Sequence, residues 1–143
     1  MKLDEIYEEW GKDSEIDSTE LGAEAIKIPK LHNKYFKIYT SEKLILRKFE
    51  AEFKQLKLLK HEFYTMGPSE ETPQHWKLPP RGMILKSDLP MYMEADEEII
   101  NFSLKIGYQQ EKVELLESII KSLINRGFQI KSAIEWTKFT MGA

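Results

Sequence analysis

The stretch IINFSLKIGYQQEKVELLESIIKSLINRG, residues 99–127, carries a helical pattern that no strand would tolerate. Ile99, Phe102, Ile106, Gln109, Val113, Leu116, Ile120 and Leu123 recur in steps of three and four, the heptad spacing of a helix that buries one seam. Only Gln109 in that series is polar. Leu115, Ile119 and Ile124 widen the stripe past a two-helix seam, so the helix must pack on more than one neighbour. Two arrangements satisfy that requirement. The stripe is buried against other helices of the same chain, or it mediates self-association through Ile99, Phe102, Ile106, Val113, Leu116, Ile120 and Leu123. Gly127 suits the left-handed turn that follows a helix, so the helix is expected to end there and a further one to run from about Ile130 to Phe139.

Upstream, residues 66–93 form a break that holds Pro68, Pro73, Pro79, Pro80 and Pro90 with Gly67 and Gly82. No long helix survives that composition. Met83 to Lys86 and Pro90 to Met93, on either side of Ser87-Asp88-Leu89, read as a small β-hairpin with Pro90 restricted to an edge. Trp76 reads as the residue that pins this loop to a core, with base contact by Trp76 or phosphate contact by Arg81 as the sharper reading.

Before the break, the pattern is helical from near Thr19 to about Tyr64, with Asp17, Ser18 and Thr19 able to cap its free amides and Pro29 expected to kink it. Tyr39, Leu46, Phe49, Phe53, Leu56 and Phe63 occupy the a and d places of one heptad frame, which Glu42 and Lys60 interrupt. A short amphipathic helix, Lys2 to about Lys12, precedes it with Leu3, Ile6, Tyr7 and Trp10 on one face. The chain therefore reads as mainly α and oligomeric. It is expected to be a single domain over residues 1–143, with an acidic helix and basic helical region (1–64), a central loop or hairpin (65–94) and a helical oligomerisation region (95–143).

Charge is laid out unevenly along this frame. Residues 1–26 hold two lysines against nine acids, whereas residues 27–60 hold ten Lys and Arg against three Glu. With so few acids nearby, most of these cations cannot sit in local ion pairs. At about 100° per residue, Lys27, Lys30, Lys34 and Lys37 share an arc of roughly 80°, as do Lys43, Arg47, Lys54 and Lys57. Interleaved rings at Tyr35, Phe36, Tyr39, Phe49 and Phe53 complete the composition of a surface that tracks a polyanion and stacks bases. A solvated lysine face that only confers solubility is the competing reading.

Catalytic chemistry finds little purchase. There is no phosphate-cradling Gly-x-x-x-x-Gly-Lys-Ser/Thr and no Gly-x-Ser-x-Gly elbow. His32, His61 and His75 are far apart and cysteine is absent, so neither a metal site nor a disulfide is expected, and no cofactor is implied. Adjacent acids such as Glu97-Glu98 point about 100° apart on a helix and do not form a dyad. No apolar run approaches the ~20 residues of a membrane span, so a cytoplasmic, non-enzymatic binding protein is expected.

Particular strings narrow this further. Ile16-Asp17-Ser18-Thr19-Glu20-Leu21 with Glu24-Ala25, then Glu50-Ala51, Tyr64, and Arg126-Gly127-Phe128-Gln129-Ile130-Lys131 resemble in order and spacing the UvsY-type recombination mediators of T-even-like bacteriophages. The resemblance spans nearly the whole chain and is weakest over residues 66–93. It implies a ring-forming homo-oligomer, a hexamer or heptamer, that binds single-stranded DNA and helps a RecA-like phage recombinase replace the phage single-strand-binding protein in the host cytoplasm. It attributes DNA contact to two basic residues spaced i and i+2 near the end of the basic helix. Those places hold Leu58 and Lys60 here, so the expected contacts are Lys54, Lys57 and Lys60, extended by Lys43 and Arg47. A helical scaffolding or adaptor protein without DNA binding is the alternative.

Overall fold

A computed structural model describes residues 1–142 and contains four helices: α1 (Leu3–Asp13), α2 (Leu21–Met66), α3 (Leu89–Glu94) and α4 (Glu97–Thr140). There is no strand among the described residues. The two long helices are shared between two compact units, one comprising Met1–Leu44 with the chain from Gln109 onward, the other Ile45–Tyr108.

Helix α1 starts where the Glu5 carboxylate accepts the Lys2 amide at 3.1 Å. The Asp17 carboxylate accepts both the amide and the hydroxyl of Thr19, at 2.9 and 2.6 Å. This turn lies just before α2 starts at Leu21 and so bonds an amide outside the helix, not one of the helix amides that the polar cluster is expected to cap. Pro29 sits inside α2, and the helix runs on without interruption. Proline removes one ladder bond there, a local loss that the packing of a 46-residue helix absorbs. At the other end Gly67 takes φ 85°, and its amide reaches back to the Phe63 carbonyl at 3.0 Å. That left-handed glycine stops α2.

In the first unit, Ile6, Tyr35, Leu116, Ile119 and Leu123 are fully buried, and Trp10, Leu31, Ile38, Tyr39, Leu115 and Ile120 pack around them. The apolar stripes read from α1, α2 and α4 thus meet in one core. In the second unit, Phe63, Tyr64, Ile84 and Leu89 form the core with Trp76, Leu78, Tyr92 and Met93 around them.

Two expectations are corrected. The hairpin is absent: residues 83–85 form no ladder, Ile84 makes a single backbone bond to the Tyr64 carbonyl at 2.8 Å, and Leu89–Glu94 is helical. Pro90 lies in the first turn of α3, where its missing N–H costs nothing. Gly127 does not end a helix either, because α4 runs through it to Thr140 and its φ is not positive. The buried Leu123, Arg126 and Ile130 on either side hold the backbone helical against the preference of glycine. A Cβ at Gly127 would meet nothing within 4 Å. Gly127→Ala should therefore stabilise the chain by about 1 kcal/mol and raise its melting temperature by roughly 2–4 °C in a thermal scan.

Candidate nucleic-acid interface

The basic segment of α2 divides into spent and free cations. Lys34 is spent on Glu9 at 2.8 Å and Asp13 at 2.6 Å, and Lys27 pairs with Glu24 at 3.0 Å. Arg47, Lys54 and Lys57, all in the second unit, are exposed and make no ion pair with any described residue. The Lys57 ammonium rests 4.5 Å from the Phe53 ring centroid, which positions it without neutralising it. In the first unit, Lys43 donates to the Tyr39 hydroxyl at 3.3 Å and lies 5.3 Å over that ring, again free of an acid.

Lys60 does not join them. Its side chain is only 6% exposed, and its ammonium lies 3.0 Å from Asp96, 3.8 Å from Glu98 and 3.9 Å over the Trp76 ring. This corrects the expectation that Lys60 touches DNA, because its charge is consumed inside the chain. Asp96 also accepts the Tyr64 hydroxyl at 2.6 Å and caps α4 through the Ile99 amide at 3.0 Å. Glu98 accepts the Trp76 indole at 2.7 Å and bonds His75 at 2.6 Å. Trp76, set edge-on to Phe63 at 5.4 Å, is the pin expected for the loop rather than a base contact.

A second buried polar group occupies the first unit. Glu42, 2% exposed, meets Lys112 at 3.0 Å, the Gln109 amide at 2.6 Å and the Met1 amino group at 3.1 Å. Sequence reasoning missed both groups as sites, although the signal was present. Glu42 and Lys60 break the heptad frame of α2, and Gln109 is the polar exception in α4.

Burial alone would raise the pKa of Glu42, but the Gln109, Lys112 and amino-terminal donors outweigh it and hold the carboxyl below its ordinary 4.5. Asp96 is likewise held below its ordinary 3.8, burial being outweighed by the Tyr64 hydroxyl, the Ile99 amide and Lys60. Depressed folded values mean that both acids contribute stability fully above their unfolded pKa and lose it as pH falls through the folded one. Denaturant midpoints should hold from neutrality to about pH 5 and fall below about pH 4, with Glu42→Gln flattening the acid limb.

The row expected to mediate oligomerisation divides. Ile99, Val113, Leu116 and Leu123 are buried within the chain, and Phe102, Ile106 and Ile120 are partly covered. Around Leu116, Ile120 and Leu123 the seam is filled from within the chain by Ile6 and Tyr35. A different stripe of α4 is exposed in the first unit, formed by Ile124, Phe128, Trp136 and Phe139.

Residues 9–143 match the family model of the recombination, repair and ssDNA binding protein UvsY. The recombination protein uvsY of Enterobacteria phage T4 is 24% identical over 143 residues, covering 99% of each chain. Two crystal structures of the bacteriophage T4 recombination mediator protein UvsY superpose closely. Lattice type II has a TM-score of 0.81 at 24% identity, covering 99% of this chain and 98% of that one. Lattice type IV has 0.80 at 21%, covering 98% and 99%. The same helical fold is therefore common to this chain and the phage T4 mediator, and the family match fixes its membership: the chain belongs to the UvsY family of recombination, repair and single-stranded-DNA-binding proteins.

Proposed function

We propose that this chain binds single-stranded DNA without sequence preference and mediates recombination, helping a RecA-like phage recombinase displace the single-strand-binding protein. The observation that carries the reading is the free cations of α2, where Lys27, Lys34 and Lys60 are spent: Arg47, Lys54 and Lys57 form an exposed, unpaired track in the second unit, and Lys43 in the first is half-exposed and free of an acid. The family description and the mediator role of the phage T4 relative support it. The action is binding rather than turnover. A hexameric or heptameric ring of copies would repeat the track, so that one strand touching several copies gains effective concentration without a new kind of contact. Ile124, Phe128, Trp136 and Phe139 are among the exposed apolar residues available for such self-association.

The test is a fluorescence titration of a labelled mixed-sequence single strand at two salt concentrations, read alongside the mass in solution. Binding should weaken by about 0.7 log unit per log unit of salt for each phosphate contacted. An assembly that ignores the strand at low salt would instead identify a scaffolding protein.

A further inference from the structure

Of the five rings expected to stack bases, four are covered. Tyr35 is fully buried. Phe53 stacks on Phe102 at 5.5 Å and 11°, with Lys57 over its ring, and Phe49 lies edge-on to Phe102 beneath Lys105 at 4.2 Å. Tyr39 is half-buried against the first unit's core, with Lys43 over it and its hydroxyl donating to Glu117 at 2.9 Å. Phe36 alone is 49% exposed.

Phe36 is also held in place. His32, one turn earlier, stacks on it with centroids 5.7 Å apart and planes 14° apart. Tyr39 lies against it with centroids 5.9 Å apart and planes tilted by 52°. Lys43 stands one turn beyond Tyr39, about 6 Å along the axis. An exposed aromatic face, stiffened by neighbours, next to an unpaired cation is the arrangement that takes an unpaired base and the phosphate beside it. We propose that Phe36, braced by His32 and Tyr39, is a base-stacking platform for single-stranded nucleic acid, with Lys43 meeting the adjoining phosphate. This rests on the proposed DNA-binding function and adds to it a base contact separate from the cation track.

The platform predicts two separable terms, one from bases and one from phosphates. The full chain would be titrated with an ordinary single strand, with an abasic strand of the same length, and with one carrying 2-aminopurine as a stacking reporter. Phe36→Ala should weaken the ordinary strand about fivefold or more, reduce the 2-aminopurine quench, and leave the abasic strand and the salt slope unchanged. Phe36→Leu keeps the apolar volume without the π-face and should lose the same quench. Equal affinity of wild type and both variants for the ordinary strand would overturn the platform while leaving the function intact. A drop in solution mass for Phe36→Ala would overturn it in favour of a second copy covering the ring. Failure of the wild type to bind either strand would overturn both readings.

Discussion

Lys60→Ala is expected to destabilise the fold by about 3–5 kcal/mol while leaving the single-strand affinity of the folded protein unchanged. The cost arises because, among the described residues, the ammonium is the only cation against the Asp96 carboxylate, which is 5% exposed and cannot be solvated by water in its place. Removing the lysine leaves Asp96 with the Tyr64 hydroxyl and the Ile99 amide, neither of which carries charge. It also removes the cation beneath Trp76 and so loosens the pin of the loop. Urea denaturation followed by circular dichroism reads the loss. Lys60→Met, of similar volume, should be nearly as damaging, because Asp96 remains buried and unpaired. Adding Asp96→Asn should restore much of the stability, since asparagine still caps the helix and no charge is stranded. The pairing of loss and rescue separates a structural lysine from one that meets DNA. If Lys60→Ala kept its stability and lost strand binding, the ion pair would open in solution and the correction made above would itself be wrong.

The helices of this chain were legible because their apolar residues keep one period over long runs, and a period survives local exceptions. The exceptions were where the reading failed. Gly127 carries the local signal of a helix end, yet Leu123, Arg126 and Ile130 are buried around it, and burial of side chains outweighs about 1 kcal/mol of backbone preference. Pro90 signalled an edge strand when it was the first turn of a helix, a position with the same tolerance for a missing amide. The cation track was half legible. Charge counts along residues 27–60 located the segment, but no count distinguishes Lys57, which is free, from Lys60, whose acid partner lies 36 residues downstream, at position 96. The interruptions of the heptad frame held that information: a charge on an otherwise apolar seam must find a partner across it.

Arg47→Ala with Lys54→Ala and Lys57→Ala should weaken single-strand binding about 100-fold at 0.1 M salt and lower the salt slope by about 2. The figure follows from counterion release. A phosphate contact that releases about 0.7 counterion is worth roughly 0.7 log unit in affinity between 1 M and 0.1 M salt, or about fivefold, and three contacts multiply. All three side chains are exposed and free of acids, so their loss should leave the denaturation midpoint close to that of the wild type. The converse substitution sharpens the test. Leu58 is 58% exposed and, at about 100° per residue, lies within roughly 40° of Arg47 and Lys54 on the same face of α2. Leu58→Arg should therefore extend the track by one phosphate, tightening binding about fivefold and steepening the salt slope by about 0.7. In a ring each of these changes is repeated on every copy, so their effect on a long strand should exceed that on a strand short enough to touch one copy. A loss that is the same on short and long strands would mean that the strand meets one subunit at a time. The track would then serve DNA binding without the contact to several copies that the ring is proposed to provide.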